Sequence, residues 1–247
     1  MRSDELRESL EKLSDPHERR LASAIVALRN RLTDELRKLP LRDGVLFDLD
    51  AALALRAQLE GIVRTEFLEE IDQIIREYPD AVDLTREFMT QFSNFNVPQS
   101  VINQLQSFSF TGHEQLADEF VEALYQQVYN NTLTGTPFSA SLDELNSLLD
   151  SSLAKHSKTI LHDALFEFSA SVSSASAAKA GITKFRYEGD IIETTRDFCE
   201  KHVDKEYTIE EIYEIWADSW RGKKEGDPFR VRGGFNCRHF WVPIVED

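Results

Sequence analysis

Between Pro16 and Pro40 the residues Leu21, Ile25, Leu28, Leu32 and Leu36 return at spacings of three and four, and this stripe constrains the fold more than any other feature of the chain. At 3.6 residues per turn such spacing puts every member on one helical face, whereas a strand, with its period of two, would scatter them over both. Ser14-Asp15-Pro16-His17-Glu18 reads as the helix start. Asp15 can cap free N–H groups, Pro16 suits the first turn and Glu18 stands at the capping-box position. Pro40 ends the helix after about Leu39.

Asp43-Gly44 marks a turn, and Leu55, Leu59, Ile62, Phe67, Ile71, Ile74 and Ile75 draw a second stripe between Leu49 and Tyr78, closed by Pro79. Two long helices with a short connection predict an antiparallel hairpin. Its apolar faces must be covered by each other and the rest of a bundle, or by a partner chain in a coiled coil. Further helices are expected over 81–95, 98–108, 112–131 and 141–180. Phe88, Phe92, Phe95, Phe108, Phe110, Phe120, Tyr125 and Tyr129 recur at helical spacing and are read as core filling.

The stretch from Ser169 to Gly181 is small and nearly uncharged, as in a tightly packed helix end or a connector between domains. Beyond it the pattern changes. Ile182 to Tyr187 alternates like a strand, Thr208-Ile209-Glu210-Glu211 opens a short helix to about Trp220, and Phe235 to Ile244 reads as a terminal strand or hairpin. The expected fold class is mainly α, with a long-helix body over 1–180 and a small α+β module over 181–247.

A formal net charge of −16 repels a phosphate backbone unless cations are segregated into a patch. The only such stretch is C-terminal: Arg221, Lys223, Lys224, Arg230, Arg232 and Arg238, which as a solvated loop is the plainer reading. Contact with DNA is expected through this stretch or not at all. The N-terminal MRSDELRESLEKL has no apolar export core, and no run approaches the roughly 20 apolar residues of a membrane span, so no membrane association is expected. Cys199 and Cys237 are then expected in a reducing cytoplasm, as free or metal-bound thiols.

Within the C-terminal module Tyr187 and Gly189 form an aromatic followed by a glycine turn. Thr195-Arg196 precedes Phe198-Cys199, Lys205 precedes Tyr207 to Ile212, and Gly233-Gly234-Phe235-Asn236-Cys237-Arg238-His239 leads to Trp241 and Pro243. In this order the pieces resemble the C-terminal part of the Mu-F-like bacteriophage head morphogenesis proteins. The resemblance covers the last quarter of the chain; the helical part shares only its character. It implies a minor structural protein of the virion head, associated with the portal or inner capsid, with the portal and/or the major capsid protein as its partner. Such a protein acts in head assembly or in DNA packaging and delivery. Before assembly it would reside in the host cytoplasm, and in the particle it could be a homo-oligomer.

The sharpest chemical constellation is Cys199-x-x-His202 with Cys237-x-His239, four candidate ligands for a tetrahedral zinc ion. Against it, the single residue between Cys237 and His239 would send their side chains to opposite faces of a regular strand, so a turn or bulge is needed for them to converge. The other reading is two buried thiols packed as small hydrophobes beside a hydrogen-bonded histidine. A thiol nucleophile served by a histidine and by Arg196 or Arg238 would make the chain an enzyme. Yet no ordered triad, phosphate loop, H-E-x-x-H or G-x-S-x-G element is present, and no enzymatic activity is expected. A zinc-stabilised nucleic-acid-binding module is the alternative to the head protein. Arg196 and Arg238 are expected to pair with acidic groups such as Asp197 or Glu200, and Gly233-Gly234 to serve a tight turn.

Overall fold

The computed structural model describes residues 1–92 and 97–245, with the backbone alone at Phe108, Ser109, Ser152 and Lys158. Phe95 and the side chain of Phe108, expected in the core, lie outside the described residues. The protein is mainly α, with a small C-terminal sheet. Helix α1 (Ser3–Leu36) leads through a two-stranded hairpin, β1 (Leu41–Arg42) and β2 (Val45–Leu46), into α2 (Leu49–Val63). A π-helical turn over Arg64–Leu68 carries α2 on into α3 (Glu69–Arg76). Next come α4 (Pro79–Met89), α5 (Gln99–Thr134) and α6 (Phe138–Leu148), and a second π-helical turn (Leu149–Ala154) joins α6 to α7 (Lys155–Lys179).

Two helices run longer than their sequences predict. α1 begins at Ser3, and Pro16 sits inside it rather than in its first turn. An internal proline costs about 3 kcal/mol. Leu6 and Leu10, both fully buried, extend the stripe of Leu21 and Leu28 toward the N-terminus. Their burial returns about 1.5–3 kcal/mol each, enough to carry the helix through the proline. The segments expected over 98–108 and 112–131 are one 36-residue helix, α5. Gly112 does not break it, because a glycine in a helix costs only about 1 kcal/mol.

The chain forms two compact units, and the division falls inside α1, α5 and α7 rather than at 180/181. The first holds Pro16–Arg76 and Phe108–Ile160 and is helical apart from the β1–β2 hairpin. In that hairpin Asp43 (φ 52°) and Gly44 (φ 77°) both take the left-handed conformation that a two-residue turn requires. Across this unit Leu28, Leu32 and Leu36 are buried, as are Leu59, Phe67 and Ile71. The Arg20 guanidinium reaches Glu70 at 2.6 Å, tying α1 to α3.

The second unit holds Met1–Asp15, Glu77–Ser107 and Leu161–Asp247. The C-terminal module expected as a domain by itself is therefore part of a larger body. The reason is burial within α7: Phe166 stacks on Phe240 with ring centroids 5.8 Å apart, and Asp163, nearly inaccessible, accepts the Asn236 N–H at 2.7 Å. The small residues near the end of α7 are a packed helix end. Ser169, Val172 and Ala177 are buried, and the Ser169 hydroxyl meets that of Thr85 at 2.8 Å.

After α7 come β3 (Lys184–Glu188), α8 (Asp197–His202), β4 (Glu206–Thr208), α9 (Ile209–Trp216), α10 (Pro228–Val231) and β5 (Phe240–Pro243). The sheet order is β4-β3-β5, antiparallel throughout, with Phe185 opposite both Tyr207 and Pro243 and Tyr187 opposite Trp241. Thr208 and Glu211 form a complete capping box, which fixes the start of α9 where the sequence places it.

Candidate metal centre

Three short pieces of chain bring the site together. Tyr187 is on the central strand β3, fully buried beneath the sheet's neighbours. α8 follows a loop in which the Thr195 hydroxyl accepts the Ile192 N–H at 2.7 Å, and acidic Asp197 and Glu200 favour its N-terminal turn. Asp227 caps α10 by accepting from the N–H groups of Phe229 and Arg230, with Pro228 in the first turn. α10 lasts one turn. Arg232 (φ 60°), Gly234 (φ 107°) and Asn236 (φ 53°) then turn the backbone repeatedly into left-handed conformations. The Cys237 N–H closes this loop on the Gly234 carbonyl at 3.2 Å.

This loop meets the objection that the sequence raises. Residues 237–239 precede β5 and lie outside any regular strand, so the two side chains need not alternate between faces. Ligand atoms of Cys199, Cys237 and His239 all lie within 4.8 Å of one another, and all three residues are buried. The Cys237 sulfur is 3.9 Å from His239 Nδ1. The Tyr187 hydroxyl lies 3.4 Å from the Cys199 sulfur and 3.5 Å from that of Cys237, and the Gly233 N–H donates to Cys237 at 3.2 Å.

His202, the fourth ligand expected from the sequence, is not in this cluster. Its Nδ1 is 2.7 Å from the Tyr207 hydroxyl, and its ring packs on Phe198. It follows Cys199 by three residues on α8, but the two side chains serve different neighbours, one the Tyr187 cluster and the other β4.

Glycines clear the space around the sulfurs. A Cβ at Gly233 would fall 2.4 Å from the Cys199 sulfur, and one at Gly189 would fall 2.5 Å from the His239 ring. Both contacts are too short for any side chain. Sequence reading takes Gly233-Gly234 as a turn; the closeness of Gly233 to two sulfurs is visible only in three dimensions.

The cluster's protonation is uneven. Cys199 is held well above the ordinary thiol value by its hydrogen bond to Cys237, then by burial. Burial alone would push Cys237 up, but hydrogen bonds from Cys199 and His239 and the nearby Arg232 charge bring it well below that value. Burial pushes the Tyr187 phenol far above its usual range, so it stays a neutral donor or acceptor. His202 is pushed down to about 4 by burial and by the charges of Lys201 and Lys205.

Of the basic stretch only Arg221 is exposed and makes no contact to an acidic group or carbonyl among the described residues; the other cations are engaged within the fold. Arg232, expected in a solvated loop, is fully buried: it donates to the carbonyls of Arg230 (2.9 Å) and Cys237 (3.1 Å) and lies between the rings of Phe166 and Phe240. Lys224 and Arg230 both turn to Glu167, and Lys223 donates to the carbonyls of Trp216 and Asp218. Arg238 pairs with Glu11 on α1, and Arg196 donates to the Phe235 carbonyl, so neither takes Asp197 or Glu200 as partner. The signal for Arg232 lies in its neighbours: an arginine next to two glycines and an aromatic can be a structural clasp as readily as a surface charge.

What this arrangement can do chemically is hold a soft divalent ion between two sulfurs and an imidazole. Neither thiol is exposed enough to attack a bulky substrate, since Cys199 is 1% and Cys237 2% accessible. No family model, curated protein or solved structure matches this chain. Among the described residues, no helix is long and apolar enough to cross a membrane.

Proposed function

We propose that the chain is a minor structural protein of a bacteriophage head, associated with the portal or inner capsid and acting in head assembly or DNA packaging and delivery. One observation supports this reading above others. Six of the residues that carry the resemblance to Mu-F-like head proteins, Tyr187, Phe198, Cys199, Gly233, His239 and Trp241, meet in one core. Tyr187 stacks on His239 and packs against Phe198 and Trp241, with ring centroids 5.2, 5.9 and 4.4 Å away. A signature spent on holding a compact element together fits a part that is built into an assembly, and its buried thiols fit a turnover role poorly.

On this reading the C-terminal element is the attachment unit and the long helices offer surfaces to the portal or shell. The basic stretch offers little free charge for DNA contact beyond Arg221 and the half-exposed Arg238, because Lys224 and Arg230 turn to Glu167 and Lys223 and Arg232 to backbone carbonyls. The test is quantitative mass spectrometry of purified heads at successive assembly stages, with portal and major shell proteins as internal standards. A low, fixed ratio to the portal is expected. Absence from every stage would overturn the proposal.

A further inference from the structure

We propose that Cys199, Cys237 and His239 form a three-ligand zinc site whose fourth position faces a small cavity and is taken by water. The inference is independent of the head-protein reading and rests on the separations within the cluster.

In a tetrahedral zinc centre with Zn–S of about 2.3 Å and Zn–N of about 2.0 Å, neighbouring ligand atoms stand roughly 3.5–3.8 Å apart. The Cys237 sulfur and His239 Nδ1 are 3.9 Å apart, long for a hydrogen bond and close to such an edge. With one ligand atom from each of the three residues within 4.8 Å of the others, the longest edge needs to close by at most about 1.3 Å around an ion.

The surroundings are those of a thiolate site. The Gly233 N–H points at the Cys237 sulfur, and the Tyr187 hydroxyl lies within reach of both sulfurs, the kind of donors that steady a metal-bound thiolate. Tyr187 also sets the imidazole plane, stacking on His239 at 10° from parallel. His239 Nε2 is buried and makes no hydrogen bond among the described residues, so no hydrogen bond at Nε2 fixes the tautomer; a metal on Nδ1 would fix it. Beside the three residues lies a cavity of about 130 Å³, lined also by Asp190, Thr195 and Asn236, room enough for a water ligand and its hydrogen-bond partners.

The ion would join the helix α8 to the loop before β5, adding to the hydrogen bond from Arg196, the N-cap of α8, to the Phe235 carbonyl. The test uses the full chain, purified reduced and without chelator, and titrated with Zn²⁺ and with Co²⁺ as a spectroscopic probe. One equivalent of zinc per chain is expected, with a sulfur-to-cobalt charge-transfer band. Binding should be lost in Cys199→Ser, Cys237→Ser and His239→Gln and kept in His202→Gln. Stripping zinc from the wild type should lower its melting temperature, and zinc should restore it, which keeps the test decisive even where a variant does not fold. A folded, reduced wild type that takes up neither metal would overturn the proposal, as would retention of the charge-transfer band in both serine variants.

Discussion

Tyr187 and His239 lie ring against ring, 5.2 Å apart, while the Tyr187 hydroxyl bridges the sulfurs of Cys199 and Cys237. The pair therefore separates two contributions, the stacked face and the polar tip. Tyr187→Phe keeps the face and removes only the hydroxyl. It should lower stability by about 1 kcal/mol, the usual net worth of a buried hydrogen bond, whereas Tyr187→Ala should cost about 3–5 kcal/mol through the cavity it leaves. Chemical denaturation of both variants measures the difference, and equal losses would mean that the ring face contributes little.

Gly233→Ala tests how tightly the sulfurs are packed. The added methyl group would sit 2.4 Å from the Cys199 sulfur, 2.9 Å from the Tyr187 hydroxyl and 3.0 Å from the Cys237 sulfur. All three belong to buried, constrained side chains. A loss of about 2–3 kcal/mol is expected, read as a fall in denaturation midpoint with unchanged slope.

Arg232 should not tolerate its conservative replacement. Its guanidinium spans the carbonyls of Arg230 and Cys237 from a fully buried position, and a lysine ammonium cannot present two donors in that fork. Arg232→Lys is expected to destabilise by about 2–4 kcal/mol, a buried charge with poorer partners. A thermal melt within a degree of wild type would show that the clasp is dispensable.

His202 gives stability a definite pH dependence. Its folded pKa of about 4 lies below the ordinary 6.5. Between these values the unfolded chain binds a proton that the native chain does not. Stability from this group is thus full above about pH 6.5, falls as the pH drops toward 4 and levels off below that. With screening allowed for, the loss is about 1–2 kcal/mol. Unfolding free energies measured across this window should fall by that much more in the wild type than in His202→Gln, and parallel pH profiles would rule the contribution out.

Much of the architecture follows from local pattern. The stripe of Leu21, Ile25, Leu28, Leu32 and Leu36, the Asp43-Gly44 turn, the strand ending at Tyr187 and the capping box of Thr208 and Glu211 each rest on residues close in sequence, whose spacing or side chain acts on its own neighbourhood. Tertiary packing decided the rest. Whether Pro16 breaks a helix depends on burial gained elsewhere, at Leu6 and Leu10, and no local rule contains that sum. The same holds at the candidate site. Cys199, Cys237 and His239 were legible as metal-binding residue types, but the choice of His239 over His202 turns on where the loop of Arg232 to Asn236 delivers the chain and on the hydroxyl of Tyr207. Residue chemistry is a property of the sequence, while convergence is set by left-handed turns and buried contacts that act across dozens of residues.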